Sequence, residues 1–340
     1  MPSASFGDLW PQPVLAAPMA GGPSTVDLVV AVAAAGGFGF VAGGYKSAAD
    51  LDAEVRAVRA RTARPFGVNL FLAGAPTRDP AALTAYAREL APEAERLGVE
   101  LGAPVWDDDA FAAKLDVVFE AAPAVCSFTF GCPDGRHVDA LRQRGTIVMS
   151  TVTSPAEAGA AATVGADVLC AQGIEAGAHR GAFDDNAPDE QLATLDLVAA
   201  IRARTDVPVV AAGGIAQPAD VQAALAAGAA AVQVGTAFLR ADESGASPMH
   251  QAALVDPAFS GTELTRAFTG RRARGLRNRF MREHQHAPSA YPEIHYLTRP
   301  LRAAAVRRAD AGATNLWAGT GHRHARTGPA GAIVEWLASR

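Results

Sequence analysis

The chain has 340 residues, 49% of them hydrophobic and 19% charged, which is enough apolar material for a large core and argues against a disordered chain. A formal net charge of -5 argues against a nucleic-acid partner, whose binding draws on an excess of clustered Lys and Arg. Cys126, Cys132 and Cys170 lack C-x-x-C spacing, so neither a disulfide framework nor a zinc site is indicated, and a reducing, cytoplasmic setting fits.

The opening MPSASFGDLWPQP lacks the basic-then-apolar pattern of an export signal. The first strand reads from Pro13 to Ala17. Leu28 to Tyr45 is uncharged and long enough to suggest a membrane span, but Gly36, Gly37, Gly39, Gly43 and Gly44 divide it into an apolar helix and a second strand, Phe38 to Ala42. Gly37 to Ala42 also matches G-x-G-x-x-A. A dinucleotide fingerprint follows a strand and opens a helix, whereas this string closes a helix and enters a strand.

A helix over Asp50 to Arg61 leads to strand Phe66 to Phe71. The next connection, Leu72 to Trp106, is too long for a plain loop and holds a helical pattern at Pro80 to Leu97, which suggests a small insertion over the mouth of the fold. Helix Asp107 to Ala121 precedes strand Ala124 to Phe130. The remaining strands are Thr146 to Thr151, Asp167 to Gln172, Pro208 to Gly213 and Ala230 to Val234, spaced by helical patterns at Ser154 to Val164, Leu192 to Arg204 and Pro218 to Ala227. This alternation over residues 1–240 predicts an α/β chain closed into a (β/α)8 TIM barrel rather than an open doubly wound sheet. Residues 241–340, rich in turns and Arg, predict a C-terminal lobe that lies as a lid across the barrel mouth.

Function in such a barrel is read from the C-terminal ends of its strands. There the chain places Met19 after strand one, Asn69 in strand three, Gln172 at the end of strand six, Gly213-Gly214 after strand seven, and Gly235-Thr236 after strand eight. The two glycine turns, each ahead of a predicted helix N-terminus, read as a phosphate site. Asn69 and Gln172 are carboxamides on apolar strands and could meet the edge of a flavin ring, or be satisfied by neighbouring loop backbone. Gln172 to Gly181 is a loop of small residues from which His179 projects as the candidate catalytic or substrate-binding group. His284-Gln285-His286 and His322-Arg323-His324 have metal-chelating spacing, but no Cys or carboxylate cluster joins them, so no metal is expected. His137 and His250 read as surface residues. The arginines from Arg271 to Arg282 read as ion-paired or solvated, with an anion clamp as the competing reading.

The ordered set Ala17-Pro18-Met19-Ala20-Gly21-Gly22, Gly67-Val68-Asn69-Leu70-Phe71, Gln172 to Gly181, Ala211-Ala212-Gly213-Gly214-Ile215, Gln233 to Leu239 and Ala267 to Arg271 with Ala273-Arg274-Gly275 resembles the nitronate monooxygenase family, formerly the 2-nitropropane dioxygenases, in its bacterial and fungal class I branch. The resemblance runs over nearly the whole chain. It implies non-covalent FMN at Met19, Asn69, Gln172, Gly177, Gly214, Gln233, Gly235 and Thr236, and His179 as the catalytic group. The implied reaction oxidises alkyl nitronates, such as propionate 3-nitronate, by O2 to a carbonyl compound and nitrite without NAD(P)H. Thr129, Tyr291, Tyr296, Arg299 and Trp317 become candidates for the substrate pocket. The chain departs from the family at Thr129, where some relatives carry His, and at Gly177-Ala178-His179, where Gly-Gly-His is commoner. The expected partners are the small-molecule nitronate and O2, with no membrane or nucleic acid, in a monomer or homodimer. Two rivals share the barrel: an FMN-dependent NAD(P)H:quinone or enoyl-thioester reductase, and a non-redox enzyme acting on a phosphorylated metabolite.

Overall fold

The computed structural model describes residues 6–339. The first five residues, on which part of the expectation about an export signal rests, lie outside the described residues, as does the last.

Eight parallel strands make one sheet: β1 (Val14–Ala16), β2 (Phe40–Ala42), β3 (Gly67–Phe71), β4 (Val125–Thr129), β5 (Ile147–Val152), β6 (Val168–Gln172), β8 (Val209–Ala212) and β9 (Ala231–Val234), with β7 (Ala178–His179) belonging elsewhere. Their order is β1-β9-β8-β6-β5-β4-β3-β2. The outer pair then meet: Ala16 N–H donates to the Phe38 carbonyl at 2.9 Å and Phe38 N–H to the Val14 carbonyl at 3.1 Å. The sheet thus joins into the expected (β/α)8 barrel. Each expected strand appears within two residues of its expected bounds, the fifth running on to Val152.

Leu15, Phe38, Phe40, Met149, Cys170 and Val210 fill the barrel interior. Phe6 and Trp10 plug its N-terminal end, Trp10 meeting Phe38 edge to face at 5.1 Å. Only the C-terminal end is left for a ligand.

The wall helices start where short polar side chains can take orphan N–H groups. Thr25 caps α1 (Val26–Ala34), Ser47 forms a capping box with Asp50 at α2 (Ala48–Arg61), and Ser154 caps α7 (Pro155–Val164). The insertion after β3 holds α3 (Pro80–Glu89) and α4 (Ala91–Leu97) where the sequence suggested one helix. Pro92 explains the break, because it lacks the N–H that a continuous helix needs. The wall continues with α5 (Phe111–Ala121), α6 (Gly135–Arg142), α8 (Thr194–Arg202) and α9 (Pro218–Ala226). After β9 the chain leaves the barrel through α10 (Pro248–Ala253), α11 (Arg279–Glu283) and α12 (Glu293–Arg307), and returns with α13 (Ala330–Leu337). Ile333, Val334 and Leu337 of α13 share a core with Val14 and Val32, so this last helix packs as the barrel's eighth wall helix.

The insertion and the C-terminal segment share one core over the mouth. Leu83, Tyr86, Leu90 and Leu97 pack with Phe268, Phe280, Ile294 and Leu301, and Tyr86 Oη donates to the Ala267 carbonyl at 2.7 Å. A small antiparallel sheet ordered β10 (Thr262–Thr265), β11 (Ala273–Leu276), β7 ties the loop after β6 to that cover, pairing His179 with Ala273 and Ala178 with Arg274. No helix of the described residues is long and apolar enough to cross a membrane.

Candidate active site

A cavity of about 630 Å³ opens at the C-terminal strand ends beneath the cover. Met19, Asn69, Gln172, Gly177, Gly214, Gln233, Gly235 and Thr236 all line it, as do His179, Thr129, Arg299 and Trp317. Tyr291 and Tyr296 do not. They stand behind the wall: Tyr291 Oη donates to Tyr45 Oη at 3.1 Å, and Tyr45 holds the cavity face. Tyr296 Oη donates instead to Asp107 on the insertion.

His179 is fixed from several directions. Its backbone lies in β7, and its carbonyl accepts from Gln172 Nε2 at 3.0 Å, while Gln172 Oε1 accepts from Gly181 N–H at 2.8 Å. Gln172 therefore clamps the loop with both ends of its carboxamide, leaving one N–H and one lone pair for a ligand. Buried Arg180 extends the clamp, forking onto Asp189 at 3.0 Å, and Asp185 beyond it takes Arg266 and Arg272 at 2.9 and 3.1 Å. The ring Nε2 is 3.0 Å from Thr269 Oγ1, whose hydroxyl donates to the Arg271 carbonyl at 3.2 Å. When the hydroxyl gives its proton to that carbonyl, Nε2 donates to Thr269 and the lone pair sits on Nδ1, the arrangement that also satisfies the carbonyl. Nδ1 has no partner among the described residues. Burial first, then Arg271 and Arg302, push the imidazole down to about 3, so it is neutral at ordinary pH.

Those two arginines define the electrostatics. Buried Arg271 lies 3.9 Å over the Phe130 ring and donates to the carbonyls of Arg180 and Ala182. Arg302 donates to Thr298 Oγ1 at 3.1 Å, Asn315 Oδ1 at 3.4 Å, the His295 carbonyl at 2.8 Å and His295 Nδ1 at 3.3 Å. Neither forms an ion pair with a carboxylate among the described residues. Burial pulls Arg302 down to about 10. Three others of the run form ion pairs, Arg272 with Asp185, Arg277 with Glu263 and Arg279 with Glu93, while Arg274 donates to the Ile174 carbonyl and to Thr262.

Aromatic rings surround these charges. Tyr45 stacks on His295 at 4.2 Å and 4°, and Phe130 stands edge-on to His179 at 5.8 Å. Tyr45 (φ 66°) and Phe130 (φ 77°) both sit at strand ends in the left-handed region. Bulky side chains are rarely held there except at sites that need them.

At the far end of the cavity, Gly214 (φ 71°) and Ile215 offer backbone N–H groups that bond to nothing within the described residues. Thr236 Oγ1 accepts from Gly319 N–H at 3.0 Å, so its own proton is free. A Cβ on Gly177 would lie 2.4 Å from Gly319 N, so this corner needs a bare backbone. The helix N-termini expected here do not contribute. The Asp220 carboxylate already takes Ala216 and Gln217 N–H at 2.9 and 3.0 Å ahead of α9, and only a 3-10 turn, Thr236–Phe238, follows Gly235. Turn amides and a hydroxyl form the anion cradle instead.

The fit of a cofactor is tested by the carboxamides. Asn69 Nδ2 faces the Ser127 carbonyl at 3.2 Å, which can only accept, so Oδ1 is left as an acceptor. Gln233 Nε2 points to Cys170 Sγ at 3.4 Å, and its buried Oε1 has no partner among the described residues. An orphaned buried carbonyl oxygen calls for a donor from a ligand.

Comparison with known proteins decides the lineage. The family model described as nitronate monooxygenase matches residues 5–339. The chain belongs to the nitronate monooxygenase family. It is 39% identical over 337 residues to a nitronate monooxygenase of Pseudomonas aeruginosa, covering 96% of this chain and 95% of that one. Among solved structures it is similar to a nitroalkane oxidase from Streptomyces ansochromogenes (TM-score 0.95, 49% identity, 98% and 97% covered). It is also similar to FabK from Thermotoga maritima (TM-score 0.72, 26% identity, 96% and 92% covered). The chain is thus an enzyme of a flavin-dependent oxidoreductase family.

Within this nitronate monooxygenase family member, several cavity residues escaped sequence reasoning. Tyr45, Thr269, His295 and Arg302 line the cavity, and so does His250, read as a surface residue: its Nε2 is 3.0 Å from the Trp317 carbonyl. One signal was available. His295, Arg299 and Arg302 recur at helical spacing along α12, which puts them on one face. Arg299 reaches only the exposed rim, whereas Arg302 lies one turn further and points inward.

Ala178, where relatives more often carry Gly, has φ 61°. An L-residue there costs about 1–2 kcal/mol. Ala178→Gly should therefore stabilise the protein by about 1 kcal/mol despite the added freedom of the unfolded chain, raising the thermal midpoint by about 2 °C. An unchanged or lowered midpoint in a thermal melt would show that the loop is relaxed with alanine.

Proposed function

We propose that the protein is an FMN-dependent nitronate monooxygenase, oxidising small alkyl nitronates such as propionate 3-nitronate with O2 to a carbonyl compound and nitrite, without NAD(P)H. The observation that carries this reading is the cavity guanidinium of Arg302, without a carboxylate partner among the described residues, backed by that of Arg271, buried over the Phe130 ring beside it. A low-dielectric site holding uncompensated positive charge favours an anion, and a nitronate is a delocalised one.

FMN would lie with its phosphate on Gly214, Gly235 and Thr236 and its ring among Met19, Asn69, Gln172, Gly177 and Gln233. Asn69 Oδ1 and Gln233 Oε1 would accept from ring N–H groups. When bound, the flavin supplies the two-electron acceptor that hands electrons on to O2. The chain's own side chains do the rest. Arg271 and Arg302 draw the nitronate in, the Phe130, Tyr45 and Trp317 rings exclude water, and His179 Nδ1 faces the substrate. With a neutral nitroalkane, Nδ1 would take the α-proton. Thr129 Oγ1, already held by Asn69 Nδ2 at 3.1 Å, stands where some relatives have an imidazole.

The test is oxygen uptake and nitrite release by the purified yellow protein with ethyl nitronate, beside an anaerobic NADH control. Nitrite with oxygen consumed and no bleaching by NADH is the expected result. Rapid bleaching without nitrite would move the chain to the reductase reading, which rests on likeness to the FabK structure at 26% identity. A colourless protein would favour the non-redox reading.

A further inference from the structure

We infer that His295 is a second imidazole of the active site, a fixed N–H donor from α12 that binds a substrate oxygen opposite His179. The inference deepens the functional reading above and rests on it.

A guanidinium has donors only, so Arg302 Nη2, 3.3 Å from His295 Nδ1, must give its proton to a lone pair there. A neutral imidazole with its lone pair on Nδ1 carries its proton on Nε2. The same Arg302 nitrogen reaches the His295 carbonyl at 2.8 Å, so backbone and ring are gripped together. Tyr45 covers one face of the ring in a 4° stack at 4.2 Å, and the Tyr296 ring stands at right angles on it at 5.3 Å. The ring cannot turn without breaking these contacts. Nε2 has no partner among the described residues and His295 lines the cavity, so its N–H is directed at whatever occupies it. Burial first, then Arg302, His179 and Arg299, push the ring down to about 2, which keeps it neutral and the tautomer single.

The two imidazoles then have opposite faces toward the substrate: His179 presents a lone pair on Nδ1, and His295 presents a proton on Nε2. A nitronate or nitro group has oxygens that accept and an α-carbon whose proton must be taken in the neutral form. The pair matches both ends. The chain that lacks a second imidazole at Thr129 thus gains one from the cover.

The test compares His295→Phe, His295→Gln and His295→Asn in the FMN-loaded protein. Glutamine can put an N–H near the Nε2 position, asparagine falls short of it, and phenylalanine keeps the stack without a donor. The readouts are KM and kcat for ethyl nitronate and the inhibition constant of sodium nitrate, a planar oxyanion with no carbon to react. His295→Phe should raise both constants tenfold or more, and His295→Gln should recover most of the loss. Unchanged constants in His295→Phe would overturn the inference, as would a glutamine variant as weak as phenylalanine at full FMN content. Should the phenylalanine variant not hold FMN, glutamine near wild type and asparagine tenfold weaker would support it, and equal values would sink it. If the wild-type protein releases no nitrite, the functional reading falls, whereas nitrate binding still reports on the donor.

Discussion

His179→Asn should lower kcat/KM for nitroethane by about 10²–10⁴-fold, the span of general-base catalysis, but for preformed ethyl nitronate by no more than about tenfold, because the unprotonated Nδ1 has no hydrogen to give the nitronate oxygens and only packing is lost. The asymmetry follows from Nδ1. A nitronate has already lost its α-proton and carries only acceptor oxygens, so it asks neither a base nor a hydrogen bond of the unprotonated Nδ1. A neutral nitroalkane needs a base. The imidazole is a weak one, pushed down to about 3 by burial and by Arg271 and Arg302. The wild-type protein should therefore prefer the nitronate in kcat/KM. The sign for pH is equally definite: a lowered histidine pKa means the ring is an unprotonated base throughout the usual range, so turnover of nitroethane should show no limb near 6.5 and should fall only as pH drops toward 3. Equal losses with both substrates would remove His179 from proton abstraction, and a limb near 6.5 would show that the two arginines do not act on it.

The barrel was legible because buried parallel strands leave short apolar runs between amphipathic helices, and nothing in this chain blurs that alternation. Residues at strand ends were legible for the same reason: Asn69 and Gln172 are polar where the pattern demands apolar, and Gly214 and Gly235 are bare just past a strand, whereas Gln233 came only with the family resemblance. What a side chain does there was less visible. For Gln172 the sequence left open a flavin edge or neighbouring loop backbone, and its carboxamide does bond the His179 loop at both ends while it lines the cavity. The expected helix N-termini failed because Asp220, four residues after Ala216, closes one of them locally. The cover was the least legible part. The pairing of His179 with Ala273 spans two residues on one side, too few for any periodicity, and it joins segments far apart in the chain. Arg271 was visible only as one of a crowd. Its burial over Phe130, against the ion pairing of its neighbours, depends on tertiary contacts that composition does not encode.

Arg302→Met should raise KM for ethyl nitronate by about 10–150-fold, the equivalent of the 1.5–3 kcal/mol of a charged hydrogen bond, with FMN content unchanged. Methionine keeps much of the side chain's apolar bulk and removes the charge. Four of the guanidinium's donor contacts go to neutral acceptors. A guanidinium has five N–H groups, so one remains for a ligand. No carboxylate neutralises it, so an incoming anion meets nearly its full charge in a site that water screens poorly. A second readout separates this electrostatic role from a packing defect. Arg302 is one of the two like charges holding His179 down. Removing it disfavours the imidazolium less, so the pKa of His179 must move up, and the acid limb of nitroethane turnover must shift to higher pH. A packing defect would lower kcat and stability without that shift. An unchanged KM with the acid limb in place would mean that Arg302 serves only to hold His295, and that the charge felt by the substrate comes from Arg271 alone.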